Sequence, residues 1–273
     1  MIIEKAYAKI NVALEVKNKI DGYHMVNNIM IPIDLYDELT LTKDNNIYVL
    51  NDNIDDNICV KAAKLFINEF NINSGVCIKL NKNIPMAAGL AGGSSDAAAV
   101  LNGLNKLYNV NASNEKLKNL ASKLGSDVPF FIETKAALCT NRGEIINPLN
   151  IDIPSINILL IKPSLGLSTK EVYQNYKYLM IDKKVKLDNI VKALKDNDIT
   201  LLKENIFNDL SVSALSLNND LNKLYNSIKK KGIDVYISGS GPTMYLIDPT
   251  KEEEAIINSI VPSDVFICKC KLF

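Results

Sequence analysis

The sequence contains few of the residues from which many catalytic centres are built. Its 273 residues include one histidine, His24, and five cysteines without CxxC spacing. A single histidine excludes a histidine-rich metal site, and it leaves an ordinary Ser-His-Asp triad only that one residue. The odd number and spacing of the cysteines predict free, mostly structural thiols in a reducing compartment. The cysteines are Cys59, Cys77, Cys139, Cys268 and Cys270.

Long apolar runs and an excess of charge are also missing. The run "INILLI" at 156–161 is far shorter than the roughly 20 residues of a membrane span, and Glu4 and Lys5 interrupt the start where a signal peptide would be apolar. The formal net charge is zero, with 31 basic and 31 acidic residues, whereas nucleic-acid binding needs basic surface. We predict a cytoplasmic protein that binds neither membranes nor nucleic acid. The sequence predicts no oligomeric state.

The apolar periodicity predicts an α+β chain with two halves. Alternation favours a strand over residues 8–16, an Asp-Gly turn follows at 21–22, and helical spacing covers 57–70. The pattern restarts near residue 155 with a strand, a polar loop and several helices. We therefore predict two domains, one over residues 1–155 and one over residues 156–273.

The most informative segment is "IPMAAGLAGGSSDAAA", which begins at Ile84 and lies between a predicted strand and a predicted helix. Small residues let the backbone approach a ligand, and the first N–H groups of a helix have no partner within the helix. The segment is therefore predicted to bind an anion, namely the phosphates of a nucleotide. The predicted phosphate-binding residues are Pro85, Met86, Ala87, Ala88, Gly89, Leu90, Ala91, Gly92, Gly93, Ser94 and Ser95.

This loop matches neither common nucleotide-binding template. Gly93 stands where a Walker loop has its lysine, and the GxGxxG pattern is absent. A tight turn into a helix capped by Ser94 or Ser95 is the simpler alternative. We expect negative φ angles at the alanines of the loop, because a methyl group disfavours positive φ. Asp96 either points away from a bound phosphate or helps to hold Mg²⁺, and the sequence leaves both open.

Two further positions are candidates for the missing charge and for catalysis. Lys9 and Asn11 lie two residues apart on one face of the first strand, so both side chains can reach one small ligand. Asp127 in "LGSDVPFF" follows Gly125, which we expect to end a helix. Taken singly, a lysine at position 9 is typical of the solvent-exposed face of a strand. An aspartate at position 127 is typical of a residue that caps the next helix.

Together, these stretches resemble the GHMP kinases. The resemblance rests on "AKINVALEV", "DGYH", the glycine loop, "LGSDVPFF", "GLSTKEVY" (166–173) and "SGSGPTMY" (238–245), which occur in the expected order and span almost the whole chain. It implies ATP-dependent phosphorylation of the 2-hydroxyl of 4-diphosphocytidyl-2-C-methyl-D-erythritol, in non-mevalonate isoprenoid precursor biosynthesis. It also implies a ribosomal-protein-like N-terminal domain and a ferredoxin-like C-terminal domain.

The resemblance also implies roles for individual residues. Lys9 and Asp127 match the catalytic pair, and the loop matches the segment that binds the phosphates of ATP. Mg²⁺ is expected with ATP, although no residue is identified as its ligand. An aromatic ring at position 173 would stack on cytosine. The residues matching the cytidine and methylerythritol pocket are Asn11, Tyr23, His24, Thr169 and Tyr173.

Three alternatives remain open at this point. The "SGSGPT" turn at 238–243 is either a simple hairpin bend or a lid over the site from the second domain. A homoserine or mevalonate kinase of the same superfamily would share the loop and much of the fold. A non-catalytic RNA-binding module is the alternative from another class.

Overall fold

The computed structural model describes residues 1–50, 57–177 and 184–273, and these ranges mix helices and strands. The strands are β1 (Ile2–Ile20), β2 (Tyr23–Asp44), β3 (Ile47–Val49), β4 (Gly75–Asn81), β5 (Ala137–Asn141), β6 (Ile145–Pro148), β7 (Asn157–Lys162), β8 (Phe207–Asn208), β9 (Tyr236–Ile237), β10 (Met244–Ile247) and β11 (Phe266–Lys271). The helices are α1 (Ile58–Glu69), α2 (Gly92–Leu107), α3 (Asn114–Ala121), α4 (Thr169–Asn175), α5 (Lys184–Asp196), α6 (Ile199–Asn205), α7 (Ser211–Leu217), α8 (Asn219–Lys229) and α9 (Lys251–Ile260), with a 3-10 helix at Val128–Ile132.

Local sequence signals account for most of these elements. The Asp-Gly turn is confirmed: Asp21 and Gly22 have φ angles of 50° and 82° and join β1 to β2, as in a type I′ hairpin. The predicted helix over 57–70 is α1. Gly125, however, does not cap α3, which ends at Ala121. The N–H of Gly125 still donates to the carbonyl of Ala121 at 3.3 Å, so a turn follows the helix.

The first sheet carries the glycine loop and the first-strand lysine. Its order is β3-β4-β2-β1-β8, and β5 pairs with both β2 and β6. Helices α1 and α2 pack on this sheet through a continuous apolar core. The chain leaves β4, runs through residues 82–91 and enters α2. The predicted placement of the loop between a strand and a helix is confirmed.

The second sheet is antiparallel and has the order β11-β7-β10-β9. Its first and third strands along the chain are central, as in a ferredoxin-like fold. Helices α8 and α9 cover this sheet through a separate apolar cluster. The predicted α+β, two-domain architecture is confirmed.

The two halves share backbone pairing and a core. Strand β8 pairs in parallel with β1, where Phe207 lies opposite Ala13. The hydroxyl of Tyr245 donates to the carbonyl of Asn11 at 2.8 Å. Apolar residues from both halves pack in one cluster. The division at residues 155 and 156 remains a prediction.

The expectation of free thiols has a structural counterpart. All five cysteines are free. Within the described ranges, no helix combines the length and apolar character that crossing a membrane requires.

Candidate active site

One large cavity lies where the first strand, the glycine loop and the second domain meet. Its volume is about 1230 Å³, above the roughly 300–1,000 Å³ of a typical ligand pocket. This volume suits two ligands side by side. The proposed catalytic and substrate-pocket residues that line it are Lys9, Asn11, Tyr23, His24, Asp127, Thr169 and Tyr173.

Lys9 is the buried cation of the cavity. Only 3% of the residue is exposed, and its ammonium donates to Asn11 Oδ1 at 2.7 Å and to the Gly89 carbonyl at 2.9 Å. Burial lowers the pKa of Lys9, while the charge of Asp127 raises it. An ammonium has three donors, and the third has no partner among the described residues. That donor is available to a ligand.

The glycine turn of the second domain closes over this lysine. The Ser238 hydroxyl lies 3.1 Å from the Gly89 carbonyl and 3.3 Å from Asn11 Oδ1. The Thr243 N–H donates to the Ala88 carbonyl at 3.2 Å. Gly239 lines the cavity. The turn is therefore part of the cavity wall, as the second of the two sequence-based alternatives states.

The N-terminus of α2 presents unpaired backbone donors to the cavity. The first hydrogen bond into the helix runs from the Ser95 N–H to the Ala91 carbonyl at 3.0 Å, and no side chain caps the helix. The N–H groups of Gly92, Gly93 and Ser94 therefore have no protein partner in the described residues, and all three residues line the cavity. Such an end favours an anion.

Within the loop, side chains divide between cavity and core. Leu90 and Ser95 are buried in the core and do not line the cavity. The other nine predicted residues of 85–95 do line it. Neither Ser94 nor Ser95 is the helix cap, because Ala91 holds the N-cap position.

The expectation of negative φ angles at the loop alanines is wrong for two of them. Ala87 has φ 49° and Ala91 has φ 56°, both in the left-handed region. This conformation costs about 1–2 kcal/mol for a residue with a Cβ. The surrounding contacts hold it: the Leu90 carbonyl accepts from the Lys9 N–H at 3.2 Å, and the Ala88 carbonyl is held by the second domain.

Asp96 lines the cavity and belongs to a buried charge cluster. Its Oδ2 accepts from the Lys82 ammonium at 2.7 Å, and the same ammonium donates to Asp37. Burial raises the pKa of Asp96 to about 7, against the opposing effect of Lys82. Its Oδ1 is buried and has no hydrogen-bond partner within the described part of the chain. The segment before the loop is fixed to Asp37, whose Oδ1 accepts from the Asn83 and Ile84 N–H groups at 2.6 and 2.8 Å.

Asp127 occupies a cap position but does not cap. It precedes the 3-10 helix, and its side chain makes no capping hydrogen bond. The carboxylate has no hydrogen-bond partner among the described residues, while its charge raises the pKa of Lys9. The carboxylate is thus available to a ligand, which favours the functional interpretation of Asp127 over the capping one.

Aromatic side chains form the far end of the cavity. The rings of His24 and Tyr173 lie 5.9 Å apart, and His24 Nδ1 lies 3.0 Å from the Lys17 carbonyl, which can only accept. Nδ1 therefore carries a hydrogen, and Nε2 is left for a ligand. Burial raises the pKa of Tyr173 well above its ordinary value, so the ring stays neutral. The Thr169 hydroxyl lies 2.9 Å from that of Ser240.

Sequence reasoning missed several residues of this site. Lys82 stands three residues before Pro85, and a cation beside a glycine loop is a signal that could have been used. Asn28 accepts from Asn11 Nδ2 at 2.7 Å, yet it lies on the next strand. No local pattern indicates that contact.

The comparisons with known proteins agree with this geometry. The family described as "GHMP kinases N terminal domain" matches residues 57–135, and "GHMP kinases C terminal" matches residues 190–264. A protein of Clostridium perfringens (strain SM101 / Type A), named 4-diphosphocytidyl-2-C-methyl-D-erythritol kinase, is 41% identical over 281 residues, covering 97% of this chain and 96% of the relative. The chain belongs to the GHMP kinase family. This GHMP kinase is an ATP-dependent small-molecule kinase, so the RNA-binding alternative is set aside.

Two solved structures have a fold similar to that of this GHMP kinase. The crystal structure of a 4-(cytidine 5'-diphospho)-2C-methyl-D-erythritol kinase superposes with a TM-score of 0.84 at 28% identity, covering 99% of each chain. A homoserine kinase from Cytophaga hutchinsonii superposes with a TM-score of 0.72 at 17% identity, covering 99% of this chain and 94% of that one. The second likeness shows a shared fold.

Proposed function

We propose that this GHMP kinase transfers the γ-phosphoryl group of ATP to the 2-hydroxyl of 4-diphosphocytidyl-2-C-methyl-D-erythritol, a step of non-mevalonate isoprenoid precursor biosynthesis. The names of the relatives support the acceptor. The observation that carries the chemistry is one meeting place: Lys9, Asp127 and the uncapped N-terminus of α2 face the same cavity.

The proposed roles follow from what each group can donate or accept. The free N–H groups at residues 92–94 hold phosphate oxygens of ATP. The Asp127 carboxylate accepts the proton of the 2-hydroxyl as its oxygen attacks the γ-phosphorus. The bond from the γ-phosphorus to the bridging oxygen breaks, and ADP leaves with that oxygen. The third donor of Lys9 stabilises the negative charge that develops in the transition state.

Mg²⁺ is the expected companion of ATP, and the residues present fit it in part. Mg²⁺ prefers oxygen ligands and is commonly held by one or two carboxylates together with phosphate oxygens and water. Asp96 Oδ1 is a buried carboxylate oxygen without a hydrogen-bond partner among the described residues, and Asp96, in the second turn of α2, lines the cavity. When bound, the ion would neutralise phosphate charge.

The aromatic end of the cavity is proposed to bind the cytidine. Tyr23 and Tyr173 offer flat apolar surfaces, and the Nε2 atom of His24 offers a hydrogen bond to a base edge. Asn11 and Thr169 contact the glycine turn of the second domain. Asn11 Oδ1 lies 3.3 Å from the Ser238 hydroxyl, and the Thr169 hydroxyl lies 2.9 Å from that of Ser240. These assignments, like a location in the cytoplasm, remain predictions.

An acceptor panel tests the proposal. The purified protein is incubated with ATP, Mg²⁺ and one of three acceptors: the cytidyl methylerythritol compound, homoserine or mevalonate. We expect ADP only with the first, and a phosphorus NMR signal that couples to no carbon-bound proton, because the 2-hydroxyl is on a tertiary carbon. Faster turnover of homoserine or mevalonate would assign the chain to another branch of the family.

A further inference from the structure

Arg142 is the only arginine in the sequence, and its side chain lines the cavity. We propose that its guanidinium binds the diphosphate of the acceptor substrate and so determines specificity for a nucleoside diphosphate ester. This inference rests on the proposed function. Arginine matches phosphate with a rigid pair of donors, which lysine cannot do.

The backbone at Arg142 is fixed by a hydrogen bond, whereas its guanidinium has only a long ion pair and a ring contact among the described residues. Arg142 lies in the tight connection between β5 and β6, and its N–H donates to Glu144 Oε2 at 2.9 Å. The closest carboxylate to its guanidinium is Glu144 Oε1, 3.7 Å from Nε, which is beyond hydrogen-bond distance. Among the described residues the guanidinium therefore makes no hydrogen bond. About half of the side chain is exposed.

The neighbours of Arg142 place it between the two ends of the proposed acceptor. Its Cζ lies 4.9 Å from the ring centroid of Tyr23, at the proposed cytidine end. The next residue, Gly143, lies beside the proposed base: a Cβ built on it would stand 3.9 Å from Asp127 Oδ1. The acceptor has its diphosphate between the nucleoside and the reacting hydroxyl. Arg142 thus occupies the matching middle position.

Among the described residues, four lysines also line the cavity; Lys19 and Lys170 offer a point charge without the paired donors of a guanidinium, and the other two are already held by protein groups. Lys82 is neutralised by Asp37 and Asp96, and Lys9 is held by Asn11 and Gly89. Neither contact of Arg142, with Tyr23 or with Glu144, involves residues 85–95. The phosphates of ATP and of the acceptor therefore have separate groups to bind them.

Binding of fragments tests this assignment directly. Dissociation constants of cytidine and cytidine 5'-diphosphate are measured by calorimetry for the wild type, Arg142→Gln and Arg142→Lys. A hydrogen-bonded charge pair contributes about 1.5–3 kcal/mol, so Arg142→Gln should weaken cytidine diphosphate about 10- to 100-fold and leave cytidine unchanged. Arg142→Lys should recover part of the loss. Lys223→Gln, on the exposed face of α8, is the control and should match the wild type.

Kinetics separate the acceptor from ATP. We expect Arg142→Gln to raise KM for the cytidyl acceptor by a similar factor, with KM for ATP and the melting temperature unchanged. Equal weakening of cytidine and cytidine diphosphate would show that Arg142 serves the base, and a raised KM for ATP alone would assign it to ATP; either result overturns the inference. An unchanged affinity for cytidine diphosphate also overturns it. Failure of the wild type to use the cytidyl acceptor would instead refute the proposed function.

Discussion

The ammonium of Lys9 donates to the carbonyl of Gly89, 80 residues further along the chain, at 2.9 Å. This hydrogen bond joins the first strand to the glycine loop. The loop has no lysine of its own at the position where a Walker loop has one. A strand lysine thus supplies the positive charge beside the uncapped helix.

Lys9→Met should separate activity from stability. Because burial lowers the pKa of Lys9, its protonated form is unfavourable in the fold, and Ser238 can still donate to Gly89. We expect kcat to fall at least 100-fold while the free energy of unfolding stays equal or rises by about 1 kcal/mol. Activity assays and urea titrations measure both, with Lys223→Met as the exposed control. A fall of more than about 2 kcal/mol in the free energy of unfolding would show that Lys9 mainly stabilises the fold.

Asp127→Asn should lower kcat about 10²- to 10⁴-fold, the usual contribution of a general base. KM for ATP should change less than about threefold, because the carboxylate accepts from the acceptor hydroxyl and does not hold ATP. Steady-state kinetics with each substrate varied in turn give both values. Asp152→Asn, at an exposed position, is the matched control. Retention of more than half of the wild-type kcat would show that Asp127 does not act as the general base.

Gly89→Ala should destabilise the protein. Gly89 has φ 75°, and a Cβ there would lie 2.5 Å from the Ser238 carbonyl and 2.8 Å from that of Gly241. We expect the free energy of unfolding to fall by about 2 kcal/mol or more. Gly93→Ala is the comparison: its Cβ would meet nothing closer than 3.9 Å, and alanine favours helix. Equal stability of the two variants, measured by urea unfolding, would contradict the close packing of Gly89 against the Ser238 carbonyl.

Asp96→Asn should flatten the pH dependence of stability. The folded protein keeps the proton of Asp96 up to a pKa of about 7, whereas the unfolded chain loses it near 3.8. The folded state therefore binds more protons between these values, and the free energy of unfolding falls as pH rises from about 4 to 7. The charged groups that face Asp96 are Lys82 and Asp37.

Urea unfolding at pH 5 and pH 7.5 checks this expectation. The wild type should be less stable at the higher pH by about 1–4 kcal/mol, and Asp96→Asn should show a smaller difference. Asp220→Asn, an exposed carboxylate on α8, should keep the wild-type difference. If Asp96→Asn keeps it too, the proton of Asp96 does not control stability in this range.

The sequence alone determined the elements that depend on neighbouring residues. The Asp21-Gly22 hairpin, helix α1 and the strand-to-helix passage of the glycine loop follow from local rules of turns and periodicity. The pairing of Lys9 with Asn11 on one face also follows, because side chains of a strand alternate. The order of the motifs along the chain was enough to indicate the family.

Only the tertiary structure decided how these parts meet. Ser238 reaches Asn11 across 227 positions, and the contact is visible only once the two sheets pack together. The same packing holds Ala87 at a positive φ against its local preference. It also buries Asp96 against Lys82. The Asp127 carboxylate makes no capping hydrogen bond to the 3-10 helix that follows it. Local propensities amount to about 1 kcal/mol per residue, and the burial and hydrogen bonds of a long-range contact can exceed them.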